Sequence, residues 1–321
     1  MGSESKKEFW SILRADEIQD FLELVDLAGK ILKKRVADIE ILAGGLTNKS
    51  FKLTMEDGQL VVMRLAGRGT GEYINRKAEK NNSTKAAGLG IAPEIYYFDA
   101  ETGSQLVEFV KLPTMHIEDF QTNTTVITEA GKLLRRLHTS GIKFLGAFDP
   151  VKGIIDYVNI LEQKGFAERF EGWDKIYKVV QQVDAAYKKN PPPQAPCHND
   201  VLAENFMYDG KTMMLIDWEY GGTGDPYYDV SGAITEDLMD KNATETWLKA
   251  YFGGEPTEEQ RARVDVNKFL YCTYWSVWSL VQIANGKERE FYWEYGLHRA
   301  KLGLEYMSDP NFDKYVALLG G

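Results

Sequence analysis

The sequence has little cysteine, little histidine and no long apolar run, and each shortage removes a class of protein. Cys197 and Cys272 are the only two cysteines among 321 residues. They lie far apart without metal-ligand spacing, which fits a reduced compartment. The four histidines are scattered, and none neighbours another. That speaks against a histidine-ligated catalytic metal. No apolar stretch approaches about 18 residues, so no transmembrane span is expected. The opening "MGSESKKEFW" is polar and lacks the apolar segment of a signal peptide, so a cytoplasmic location is expected. Positive charge is also in deficit, with 38 Lys and Arg against 48 Asp and Glu and a net charge of −10. This argues against nucleic acid or an anionic membrane surface as a partner. It mildly favours a cationic ligand or a metal held by carboxylates, although solubility alone accounts for it. There is no internal repeat and no low-complexity tract.

The length allows two domains or lobes. Residues 16–34 carry Ile18, Phe21, Leu22, Leu24, Val25, Ile31 and Leu32 at roughly helical spacing. The period then changes to two. "ADIEILAGG" (37–45), "KSFKLTM" (49–55) and "QLVVMRLA" (59–66) read as strands, and "EIYYFD" and "SQLVEFV" as a second hairpin turning at 101–103. A helix is expected over 72–87, between the third strand and that hairpin. Beyond "VKLPT" the pattern becomes helical, over 125–139, 154–167 and 173–189, and "NPPP" halts the last of these. The expectation is an α+β chain: a β-rich lobe over 1–110 and a larger α-rich lobe over 111–321.

One stretch of the α-rich part breaks the helical pattern: "CHNDVLAENFMYDGKTMMLIDWEYGG" (197–222). His198, Asp200 and Asn205 precede one strand-like run, and Asp217 and Glu219 follow the next. This reads as a hairpin carrying carboxylates into a partly buried place, which is costly unless something positive binds there. An Asp followed five residues later by Asn is the spacing of a kinase catalytic loop. There the Asp takes the acceptor hydroxyl's proton and the Asn gives a metal a neutral oxygen. His198 would brace the loop by hydrogen bonds. An Asp closing an apolar strand suits a magnesium ligand, with Glu219 assisting, because that ion prefers oxygen. Either carboxylate alone could be a turn residue.

Upstream, Gly44 and Gly45 of "LAGGLTNKSF" could form a tight hairpin turn or a loop over phosphates. Arg64 in "VVMRLAG" could face solvent or contact nucleotide phosphates. In the second case it needs an acid, and Glu79 on the following helix is the best placed. Trp275 and Trp278 in "CTYWSVWSLVQ" share a helix face. Alone they read as core, but aromatic faces beside a carboxylate also hold quaternary ammonium.

"HNDVLAENF", "IDWEYGG", "VVMRLAG", "INRKAE" (74–79) and "YWSVWSLVQ" together resemble the choline/ethanolamine kinase family, over about residues 36–300. That family is part of the wider aminoglycoside phosphotransferase-like group, and the bacterial choline kinases are most similar. The resemblance implies a protein-kinase-like fold of two lobes, with ATP and Mg²⁺ as cofactors and choline as acceptor. It assigns Asp200 as base, with His198 beside it, and Asn205, Asp217 and Glu219 as metal ligands. Gly44, Gly45, Asn48, Arg64 and Glu79 are implied at the nucleotide. Glu236, seven residues after Asp229, is implied at the ammonium with Trp275, Trp278, Tyr220 and Tyr295. Lys241 stands where some relatives have a further aromatic. An ethanolamine kinase, an aminoglycoside phosphotransferase and an inactive nucleotide-binding pseudokinase are the alternative readings.

Overall fold

The computed structural model describes residues 13–42, 48–66 and 74–321. Gly44 and Gly45 lie outside the described residues. The chain forms two compact units, Met1–Leu112 and Pro113–Gly321.

The first unit contains helix α1 (Ile18–Leu32), strands β1 (Val36–Leu42), β2 (Lys49–Met55) and β3 (Leu60–Leu65), helix α2 (Arg76–Gly88), and strands β4 (Ile95–Phe98) and β5 (Gln105–Glu108). The five strands form one antiparallel sheet in the order β1-β2-β3-β5-β4. After α2 the chain returns so that β5, not β4, pairs with β3. The two-residue period sorts the side chains. Phe51, Leu53, Met55, Val61, Met63 and Leu65 bury on one face, against Phe21, Leu24 and Ala28 of α1. Phe21 meets Phe51 edge-on, with ring centroids 4.9 Å apart. Each such side chain contributes roughly 1.5–3 kcal/mol by leaving water. Arg64 falls between Met63 and Leu65 and so points to the opposite face.

The second unit begins with α3 (Ile117–Thr122), α4 (Thr124–His138), α5 (Pro150–Gln163) and α6 (Trp173–Lys189). Helix α5 starts four residues before the expected 154. Asp149 caps it by accepting from the Lys152 N–H at 3.0 Å, and Pro150 occupies the first turn, where its missing N–H costs nothing. Four short strands follow: β6 (Ala195–Cys197), β7 (Phe206–Tyr208), β8 (Met213–Leu215) and β9 (Gly222–Gly224). The remainder is helical: α7 (Pro226–Glu236), α8 (Lys241–Phe252), α9 (Glu258–Ala284), α10 (Arg289–Met307) and α11 (Phe312–Leu319). Helix α9 is buried nearly all round from Ala262 to Gln282 because α5, α7, α10 and α11 all pack on it.

Residues 197–222 form two antiparallel pairs and not one hairpin. β7 and β8 pair Phe206 with Leu215 and Tyr208 with Met213, and this hairpin is nested in a second pairing of Cys197 with Gly222 and Ala195 with Gly224. Close approach explains Gly224 of β9: a Cβ there would lie 2.6 Å from the Phe148 carbonyl oxygen. The nesting creates two loops, 198–205 and 216–221, and these carry the acids.

Candidate active site

One buried carboxylate organises the first loop. Asp229, in the first turn of α7, accepts the backbone N–H of His198 on Oδ2 at 2.7 Å and that of Asn199 on Oδ1 at 2.6 Å. Its Oδ2 also receives the Nε2–H of His138, at 3.0 Å. The Tyr251 hydroxyl then donates to His138 Nδ1 at 2.7 Å. Burial, and next the nearby Cys197 and Asp229, hold the Tyr251 phenol well above its ordinary range, so it keeps that proton. Asp237 takes the Ala203 N–H at 2.9 Å, while its own second oxygen has no partner.

Two further bonds tie the loops together. His198 is fully buried, and burial lowers its pKa. Its Nε2–H donates to the Ile216 carbonyl at 2.9 Å, with the Trp218 ring edge-on at 4.7 Å. In return the Ile216 N–H donates to the Asn205 carbonyl at 2.9 Å. Asn199 and Asp217 both adopt left-handed backbone, at φ 68° and 63°. Asn and Asp are among the few non-glycine types that tolerate it. The Asn205 amide nitrogen donates to the Asp200 carbonyl at 2.8 Å, which turns its Oδ1 the other way.

The electrostatics converge on Asp200. Burial pushes its carboxyl well above the usual range, followed by repulsion from Asp217, Glu236 and Glu219, and the Asn205 amide opposes this. Four acids therefore share one field. After burial, Glu236 and Asp200 also raise the Tyr271 phenol. Tyr295 is raised by burial and then by Glu236.

The aromatic residues form a run beside these acids. Tyr220 lies 5.4 Å from Trp275, Trp275 lies 5.3 Å from Trp278, and Trp278 lies 6.2 Å from Tyr295, all near edge-on. Trp275 and Trp278 come from α9 and Tyr295 from α10. Neither Trp275 nor Trp278 has a hydrogen-bond partner for its indole N–H. Glu236, the last residue of α7, is ion-paired with Arg299 of α10.

In the first unit, Glu79 of α2 is a hub for two cations. Its Oε1 pairs with Arg64 and its Oε2 lies 2.5 Å from Arg76 Nη1, with all three side chains at most 8% exposed. Arg64 also donates to the Gly103 carbonyl at 3.4 Å, and the Gln105 side-chain amide satisfies it when its oxygen is turned toward the guanidinium. Asn48, just before β2, is buried.

His138, Cys197 and Asp229 have ligand atoms within 4.8 Å of one another, but their chemistry is structural. Both His138 nitrogens and both Asp229 oxygens are engaged, and burial, followed by Asp229, holds the Cys197 thiol well above its usual range. No capacity remains for a metal. His138, Asp237, Arg76 and Arg299 escaped the sequence reading, and Asp229 entered it only as a reference for counting to Glu236. The one signal for Asp229 and His138 was a polar residue at an otherwise apolar helix position.

Residues 38–264 match the phosphotransferase enzyme family. The α+β architecture is protein-kinase-like, and the chain is a small-molecule kinase acting on an alcohol. The protein LicA of Haemophilus influenzae is 27% identical over 273 residues, spanning 83% of this chain and 79% of its own. Ethanolamine kinase 2 of Mus musculus is 27% identical over 277 residues, spanning 74% and 68%. The crystal structure of a choline/ethanolamine kinase family protein from Mesorhizobium loti superposes with a TM-score of 0.77 at 32% identity, covering 88% of this chain and 92% of that one. The chain belongs to the choline/ethanolamine kinase family of phosphotransferases. No helix among the described residues is long and apolar enough to cross a membrane.

Proposed function

We propose that this kinase transfers the γ-phosphoryl group of ATP to the hydroxyl of choline, giving phosphocholine and ADP. The observation that carries the reading is the run Tyr220–Trp275–Trp278–Tyr295, whose neighbour Glu236 acts electrostatically on Asp200. A quaternary ammonium has no N–H to donate, and an aromatic face attracts it by about 0.5–2 kcal/mol. A primary ammonium wants acceptor oxygens instead.

In this reading Asp200 orients the hydroxyl and takes its proton as that oxygen bonds to the γ-phosphorus. The bond from phosphorus to the β–γ bridging oxygen breaks, and ADP departs with the electron pair. Arg64, held by Glu79, would offset nucleotide phosphate charge. Asn205, Asp217 and Glu219 offer only oxygen donors, which suits a hard divalent cation. Burial first, and then repulsion from Asp217, Glu236 and Glu219, raises the Asp200 carboxyl, and a bound cation would relieve the second of these. A bound Mg²⁺, held by Asn205 and Asp217 with Glu219 assisting, would neutralise developing charge on the phosphate oxygens. The rest of the catalysis is positioning and fixed electrostatics, which needs no covalent nucleophile.

A coupled kinase assay with ATP over choline, ethanolamine and an aminoglycoside tests the reading. Choline should give the highest kcat/KM, and a preference for either other acceptor overturns the substrate assignment. Asp200→Ala should lower kcat by roughly 10²–10⁴-fold. Undiminished turnover by that variant removes Asp200 from the role of base.

A further inference from the structure

Glu236 occupies a position that folding alone does not favour. It ends α7, where the helix dipole is negative and a carboxylate is destabilised. Arg299 compensates from α10, its side chain 8% exposed against 15% for Glu236. The same guanidinium lies 5.2 Å from the Tyr295 ring centroid. Its Nε and Nη1 are buried without hydrogen-bond partners. A cation belonging to the protein thus already holds both an acid and an aromatic face suited to a substrate cation.

We propose that Arg299 is a specificity-determining positioning residue that makes Glu236 a poor partner for a primary ammonium while leaving the Tyr220, Trp275 and Trp278 rings of the aromatic run available to a quaternary one. The inference rests on the acceptor pocket proposed above. With Arg299 on Oε2, Glu236 has one oxygen committed and part of its charge offset. A primary ammonium must replace three hydrogen bonds to water and loses its strongest acceptor. A quaternary ammonium makes none and is held by ring faces. Repulsion from the guanidinium acts on either substrate and cancels in the ratio between them.

The test is the ratio of kcat/KM for choline to that for ethanolamine, in the full chain with saturating ATP at mildly alkaline pH. Arg299→Met frees Glu236. The ratio should fall about tenfold, the worth of one hydrogen bond to a charged group, and should do so through a lower KM for ethanolamine. The KM for ATP should not move. Arg299→Lys keeps a cation and should retain the wild-type ratio. Parallel losses with both acceptors, or an unchanged ratio in Arg299→Met, would overturn the proposal and leave Arg299 a structural residue. Should Arg299→Met fail to fold, Arg299→Gln removes the charge while keeping hydrogen-bonding capacity, and the same shift or its absence decides. Wild-type protein that phosphorylates neither amino alcohol refutes the pocket reading itself, a result distinct from an unshifted ratio.

Discussion

Asp229→Asn replaces one carboxylate oxygen by an NH₂ group at a buried point where all three recorded partners are donors. The backbone N–H groups of His198 and Asn199 and the Nε2–H of His138 converge there at 2.7, 2.6 and 3.0 Å. An amide oxygen can take the place of only one carboxylate oxygen. Its NH₂ then faces a backbone N–H, donor against donor. Losing a charge-assisted bond costs about 1.5–3 kcal/mol and stranding a buried donor about 1–3 kcal/mol, so together about 2.5–6 kcal/mol. In a unit of about 200 residues this should lower the melting temperature by roughly 10 °C. The catalytic consequence should be larger than the loss of folded fraction. The loop that loses its anchor carries Asp200, and a shift of about 1 Å in a reacting group costs on the order of 100-fold in rate. Scanning calorimetry and steady-state kinetics below the transition measure the two effects separately. A variant melting within about 2 °C of wild type at full kcat would refute the anchoring argument.

Two further outcomes follow from buried charge. Glu79→Leu removes the buried carboxylate that Arg64 and Arg76 share and should cost about 3–5 kcal/mol in urea unfolding. Arg64→Met leaves the Arg76–Glu79 pair intact and should cost clearly less, so equal losses would contradict the hub. Asp225 caps α7, and burial, although opposed by the Tyr227 N–H and the Asn267 amide, raises its carboxyl to about 6. A carboxyl raised in the fold keeps its proton where the unfolded chain has lost it. Its contribution is therefore favourable at low pH and is lost as pH rises between about 4 and 6, by about 3 kcal/mol in all. The stability difference between wild type and Asp225→Asn should change by that amount across the window and stay flat above it. A difference independent of pH would rule this out.

Much of the fold was legible because its signals are local. Alternation along β2 and β3 identified the strands, and the same alternation put Arg64 on the face opposite Met63. The edges were less legible where a cap outweighed periodicity. Asp149 and Pro150 start α5 before the apolar pattern begins. The nested pairing of β6 with β9 was missed for a related reason: strands of three residues are too short to show a period. The candidate site divides the same way. Residue type and spacing singled out Asp200, Asn205 and Asp217 for attention. Nothing in the spacing indicated that Glu236 would meet a guanidinium.

The sequence by itself determined which residues alternate, which cap, and which loops bring together acids that a surface has no reason to collect. Each of these preferences is settled among neighbours a few residues apart. Tertiary structure alone decided that His138 would grip Asp229 across 91 residues and Arg299 would hold Glu236 across 63. Such pairs form because helices pack and exclude water around them, and the free energy of that packing belongs to no single segment of the chain.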